Sequence, residues 1–209
     1  MATKRAKTFD EKQFERLLKH VDDTSIMPVR DRLVVALSFK AGLRVGEIAK
    51  IKLSAMLDVE GRIAKTITVF SDVAKKERQR EVPMNAFVRE CLISFRKTYP
   101  NAQYVAISSR PFRWLLARGE PVPLSFDRFE KMSVNAMTKQ YQGLLQSLGY
   151  QGATTHSGRR TFGTALARRA NLHHCSLRDV QNLMGHARLE TTEHYIEVSE
   201  DASKLVMSL

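Results

Sequence analysis

The sequence predicts a mixed α/β domain, mainly α-helical, with one small antiparallel β-sheet. Three observations predict it. Apolar residues recur at the three- and four-residue spacing of a helix through most of the chain. One stretch, KTITVF (Lys65 to Phe70), alternates with period two instead, and EVPM (Glu81 to Met84) follows as a short partner. Glycines stand where several helical stripes stop. With 209 residues and 43% hydrophobic content, the chain suits one globular domain of ordinary size.

Each element has its own reason. Residues 1–9 read as a short, mobile basic arm. The helical pattern starts near Phe9, with Phe14, Leu17 and Leu18 on one face. Asp31 to Ala41 is a second helix with a Leu33, Val34 and Leu37 stripe, which Gly42 can end by taking φ > 0. A short helix runs from Val45 towards Ile51. In KTITVF, Ile67 and Val69 share a face. In EVPM, Pro83 cannot donate to a ladder and belongs on an edge. The polar loop SDVAKKERQR between them makes a hairpin with a cationic tip. Asn85 to Lys97 is helical, with Phe87, Val88, Cys91, Leu92 and Phe95 inward. Tyr99 to Lys131 holds four of the six prolines and the only tryptophan, Trp114, and reads as irregular. Ser133 to Leu148 and Gly158 to Arg169 are further helices. Ser176 caps the last one, with Asp179 three residues on. Leu177, Val180, Leu183 and Met184 line its core face and Gly185 closes it.

Composition narrows the function. The formal net charge is +12, which favours a polyanionic partner, most often nucleic acid. No run approaches the roughly 18 apolar residues of a membrane span. The basic MATKRAKTFD start lacks the apolar core of a signal peptide, so a cytoplasmic protein with no membrane partner is expected. Cys91 and Cys175 form no disulfide framework or CxxC pair and read as reduced thiols.

Several chemistries lack their residues. His173, His174 and Cys175 are adjacent, which is the wrong spacing for a shared metal, and no HExxH occurs. GxxxxGK[ST], GxGxxG after a strand and GxSxG are also absent. What remains is a set of cations with one tyrosine: Arg44, the hairpin lysines, His156 and Arg159 in HSGRR, then His186 and Tyr195. Arg44 and His186 both follow glycine helix stops, which hold a polar group rigidly at a helix end. Two guanidiniums can grip non-bridging phosphate oxygens and stabilise transition-state charge. Arginines favour a phenolate, a lysine can protonate a leaving oxygen, and histidines can move the nucleophile's proton. The set suits covalent phosphoryl transfer to tyrosine without a metal or other cofactor.

These residues resemble the tyrosine recombinase, or phage integrase, family and its catalytic domain. AGLRVGEIAKIKL resembles the first-arginine box, with Arg44 as the arginine and Glu47 as the acidic residue that supports it. THSGRRTFGTALA resembles the H-x-x-R box and implies His156 and Arg159. LMGHARLETTEHYIEV carries Gly-His, with His186, and then Tyr195 as the nucleophile. AKKERQREVPM resembles the hairpin that carries the catalytic lysine. Counting back from Val82-Pro83 gives Lys75, with Lys76 as the alternative. Lys76, Arg78, Arg80 and Arg160 are then candidate DNA contacts, Arg160 being equally a surface charge. His194 has no role in the boxes. Gly158 stands where the family often has leucine.

The resemblance implies the DNA breaking-rejoining catalytic fold and a site-specific recombinase that works through a 3′-phosphotyrosyl intermediate without ATP, metal or cofactor. Its partner would be double-stranded DNA, bound as a homotetramer on two sites. The expected layout is arm 1–9, catalytic domain 10–198 and tail 199–209. The tail either packs on a neighbouring protomer or folds back. Most members carry a separate N-terminal DNA-binding domain. This chain is therefore expected to be a compact single-domain recombinase or a fragment, and Met1 slightly favours a complete or naturally short form. A relaxing topoisomerase with the same tyrosine chemistry, and a non-cleaving DNA-binding accessory factor, are the alternatives.

Overall fold

The computed structural model describes residues 6–73, 79–120, 129–186 and 188–193. Helix α1 (Glu11–Thr24) starts with a reciprocal cap: the Asp10 carboxylate accepts from the Gln13 amide at 2.8 Å, and the Gln13 side chain accepts from the Asp10 amide at 3.2 Å. Its apolar face buries Phe14, Leu17, Leu18 and Val21. Helix α2 (Pro28–Lys40) is the hub, packed against α1, α4 and α7. It is buried on all sides, including Arg30, Asp31 and Ser38, and it begins three residues earlier than the stripe suggested because Pro28 fits the first helical turn. Gly42 closes it at φ +67°.

Helix α3 (Val45–Ile48) follows at once, and a 3-10 turn spans Leu53–Met56. Strands β1 (Thr66–Val69) and β2 (Arg80–Pro83) form a two-stranded antiparallel sheet, with Ile67 opposite Val82 and Val69 opposite Arg80. Ile67, Val69 and Val82 point into the core. Both strands are edges, which accommodates Pro83. Helix α4 (Ala86–Thr98), capped by Asn85, inserts Val88, Cys91, Leu92 and Phe95.

The proline-rich stretch contains a helix, α5 (Arg110–Ala117). Pro111 stands in its first turn, where no amide hydrogen bond is lost, so the proline starts this helix instead of breaking it. Helices α6 (Val134–Ser147), α7 (Ser157–Arg169), α8 (Leu177–Met184) and α9 (Leu189–Glu193) complete the domain.

Two apolar clusters result. The larger joins α1, α2, α4, α6 and the sheet. The smaller lies under α7 and α8: Ala170, Val180 and Met184, with Phe162 and Leu166 against them. Phe162 ties the two parts together by packing on Gly42, where a Cβ would fall 2.3 Å from its ring. Residues 6–9 are held, not mobile: Phe9 is buried, its amide donates to Thr161 Oγ1 at 2.9 Å, and the Lys7 amide donates to the Gly152 carbonyl at 2.9 Å.

Candidate active site

Three local structures aim their side chains at one place. Arg44 is the residue before α3, and its own amide donates to Glu47 Oε2 at 2.8 Å. Its guanidinium lies 3.3 Å from Glu47 Oε1 and is 27% exposed. Arg159 sits in the first turn of α7 and is 2% exposed. It donates from Nη1 to the Gly42 carbonyl at 2.7 Å and from Nη2 to the Met184 carbonyl, and Nη1 lies 4.0 Å from Glu47 Oε2. His186 follows Gly185, which closes α8 in the left-handed conformation at φ +66°.

Two glycines allow this convergence. At Gly158, a Cβ would stand 2.3 Å from Ser38 Oγ and 2.7 Å from the Phe39 ring. The small residue therefore lets α7 lie directly on α2 and brings Arg159 to the Gly42 carbonyl. A leucine here would need another helix spacing. At Gly185, the positive φ already favours glycine, and a Cβ would also fall 2.7 Å from Arg80 Cδ.

Arg80 requires a correction. The sequence suggested a DNA contact on a cationic hairpin. Instead Arg80 is 7% exposed, and its two terminal nitrogens donate to both oxygens of Glu47 at 3.0 and 2.8 Å. Strand alternation explains it: Arg80 shares the inward face with Val82. That parity was readable in the sequence and was masked by the run of charges around it. Arg160 is also engaged internally, donating to the Ala6 carbonyl at 2.6 Å and fixing the N-terminal segment.

Glu47 is therefore the common partner of Arg44, Arg80 and Arg159. Burial alone would raise its pKa. The hydrogen bonds and charge of Arg80, the Arg44 amide and the Arg159 charge outweigh that, and the pKa lies below the ordinary carboxylate value. It stays ionised and links the three guanidiniums.

Both histidines are held below the ordinary imidazole pKa, which favours the neutral ring. Burial, then Arg159, Arg44 and Arg80, push His186 down to about 3. Its Nδ1 lies 3.0 Å from Thr192 Oγ1, a buried hydroxyl on α9 that the sequence reading missed because a threonine carries no distinctive signal. The exposed His156 precedes α7, and the protein crowding its ring, then Arg44 and Arg159, lower its pKa. A neutral imidazole beside guanidiniums can accept a proton.

Lys75, Lys76 and Arg78 of the hairpin, His194 and Tyr195 lie outside the described residues. Among the described residues no group of His, Cys, Asp or Glu gathers as a metal set, and no helix is long and apolar enough to cross a membrane. Cys91 is buried, Cys175 is exposed, and both are free thiols.

Comparison with known proteins gives the family and the fold. A sequence model of the phage integrase family matches residues 7–201, and the chain belongs to that family. It is 28% identical over 198 residues to tyrosine recombinase XerC of Staphylococcus aureus (strain bovine RF122 / ET3-1), which covers 95% of this chain and 59% of the relative. The chain thus spans about three-fifths of the length of the curated relatives it matches. The fold is similar to a crystal structure of XerA recombinase, with a TM-score of 0.64 and 21% identity over 100% of this chain and 64% of the other. It is likewise similar to XerH site-specific recombinase bound to its difH substrate in a pre-cleavage complex, with a TM-score of 0.65 and 19% identity over 100% and 55% of the two chains.

Proposed function

We propose that the chain is the catalytic part of a site-specific DNA recombinase that cuts and rejoins strands through a 3′-phosphotyrosyl intermediate. One observation carries this reading: three guanidiniums converge on one carboxylate beside two neutral histidines. The local charge excess suits a phosphodiester, whose negative charge grows on the way to the pentacovalent transition state.

In this reading the Tyr195 oxygen attacks the scissile phosphorus. Neutral His156 takes the phenolic proton, and Arg44 and Arg159 hold the non-bridging oxygens. The P–O bond to the 5′ oxygen breaks, and Lys75 gives that oxygen a proton. Attack by a 5′-hydroxyl from another strand reverses the steps and frees the tyrosine. The bond energy is kept in the phosphotyrosine, so the exchange consumes no ATP. His186 supports the phosphate side, positioned by Thr192. Partner DNA is double-stranded, and two sites held by four copies would supply the exchanging strands.

The test is a duplex nicked next to the cut site, so that the cleaved strand diffuses away. Wild type accumulates a covalent protein–DNA adduct, whereas Tyr195→Phe binds equally and forms none. A wild-type yield of adduct from Tyr195→Phe would place the nucleophile elsewhere. No adduct from wild type, with binding intact, would favour a DNA-binding accessory factor. Relaxation of supercoiled DNA without strand exchange would favour the topoisomerase reading.

A further inference from the structure

Four threonines at helical positions place their hydroxyl hydrogen on the carbonyl four residues back. Thr24 donates to His20 at 2.7 Å, Thr98 to Ser94 at 2.9 Å, and Thr138 and Thr161 to Val134 and Ser157 at 2.8 Å each. This is a common use of a threonine hydroxyl in a helix. Thr192 of α9 differs. It is 0% exposed, and among the described residues its Oγ1 has one hydrogen-bond partner, His186 Nδ1 at 3.0 Å.

That contact has a direction. A hydroxyl carries one hydrogen to give and can also accept. If the ring donated through Nδ1–H, the Thr192 hydrogen would have no acceptor among the described residues, at a place that solvent does not reach. A buried donor without a partner is costly. The arrangement that satisfies both groups has Thr192 donating and Nδ1 accepting. Burial, then Arg159, Arg44 and Arg80, hold the ring pKa at about 3, so the ring keeps a single proton near neutral pH. With Nδ1 accepting, that proton is on Nε2.

The backbone of His186 is pinned from α8 while its ring is held from α9. The His186 amide donates to the Gln181 carbonyl at 3.1 Å, and the Gln181 side chain donates back to the His186 carbonyl at 2.9 Å. Gln181 is buried, and its Oε1 accepts from Arg178 Nη1 at 3.0 Å, which sets the end of the amide that faces His186. Arg159 donates to the Met184 carbonyl two residues before the ring.

We propose that Thr192 is a positioning residue that fixes His186 in its Nε2–H tautomer. The inference rests on the strand-cutting reading above and sharpens it. His186 then serves the phosphate as a hydrogen-bond donor and does not take the phenolic proton, which goes to His156. Thr192 acts through His186 alone.

The experiment has two arms. Long-range proton–nitrogen correlation on the DNA-free chain, with ring-labelled histidine, reads which nitrogen carries the proton. The His186 signals are those missing from His186→Gln. Wild type should show a protonated Nε2 and a bare Nδ1. Thr192→Ser keeps the hydroxyl and should give the same pattern, whereas Thr192→Val should show both nitrogens averaging between tautomers. The second arm is single-turnover adduct formation on the nicked duplex. Thr192→Val should be slower by about tenfold, the scale of one lost hydrogen bond, with affinity and thermal midpoint near wild type. Thr192→Ser should recover most of that rate. A protonated Nδ1 in wild type overturns the inference, as does an unchanged tautomer in Thr192→Val. Equal rate losses in the serine and valine variants also overturn it, because packing and not the hydroxyl would then matter. If wild type forms no adduct while the ring pattern is as expected, the strand-cutting reading fails and the tautomer assignment stands.

Discussion

Among the described residues, two largely buried arginine clusters differ in their ratio of arginines to carboxylates. In one, Arg30 is 1% exposed and pairs with Asp31: Nε and Nη2 each lie 2.8 Å from Oδ1, and Nη1 donates to the Ile107 carbonyl at 2.8 Å. Asp31 also accepts from Ser25 Oγ at 2.5 Å and from Gln140 Nε2 at 3.0 Å. There, one cation meets one anion and the surplus oxygens are filled by neutral donors. In the other cluster a single carboxylate, Glu47, serves three arginines among the described residues. The first joins α2 to the 107–132 region and to α6. The second joins α3, β2 and α7 through Glu47. Residue types are alike in both; three arginines on one carboxylate and the greater exposure of Arg44 distinguish the candidate site from the structural cluster.

The largest expected effect tests the balanced cluster. Arg30→Ala strands the Asp31 carboxylate and should cost about 3–5 kcal/mol of stability, read from denaturant midpoints. The paired change Arg30→Met/Asp31→Leu removes both charges and should cost far less. In both variants cleavage per folded molecule should stay at the wild-type level. A specific loss of cleavage in the double variant would show that the two clusters are not separate in role.

A smaller effect is expected at the unbalanced cluster's inner member. Arg80→Met removes both hydrogen bonds from Arg80 to Glu47 and loosens the partners that Glu47 positions. Cleavage should slow by about 10- to 100-fold, equivalent to roughly 1.4–2.7 kcal/mol of barrier, with DNA affinity nearly unchanged. The opposite pattern, weaker binding and normal chemistry, would return Arg80 to the surface-contact role its sequence setting suggested.

The smallest effect is a pH slope. The His186 pKa is about 3 in the folded chain, against an ordinary 6.5. Between those values the unfolded state binds more protons than the native state. This contribution to stability is fully present above about pH 6.5 and is lost as pH falls towards 3. Unfolding titrations at pH 7 and pH 5 should therefore show a steeper acid loss in wild type than in His186→Gln. Equal slopes would mean that His186 is not held neutral.

How much of this was legible in the sequence depends on the kind of signal. Helix periodicity and glycine stops located α1, α2, α4, α6, α7 and α8, because apolar stripes and φ > 0 positions are local properties. α5 was hidden because Pro111 reads as a breaker unless its place in the first turn is known. The full burial of α2 was hidden too: a stripe shows one face, and only the packing of α1, α4 and α7 around it explains buried Arg30 and Asp31. Family boxes named Arg44, Glu47, His156, Arg159 and His186, and the fold brings these five near one another. The same boxes could not show that Glu47 is shared with Arg80, or that Gly158 sets the α2–α7 spacing. Those are long-range contacts with no local pattern. Lys75 and Tyr195 rest on the sequence resemblance alone.

We propose that the Glu47 cluster meets negative charge that appears only during reaction. Arg44, the most exposed of its three arginines, tests this most directly. Single-turnover adduct formation on the nicked duplex, measured beside the dissociation constant on the same DNA, separates the two kinds of loss. Arg44→Ala should lower the cleavage rate by about 10²–10³-fold and leave affinity within a few-fold of wild type. Equal losses in rate and affinity would make Arg44 an ordinary phosphate contact and contradict the claim.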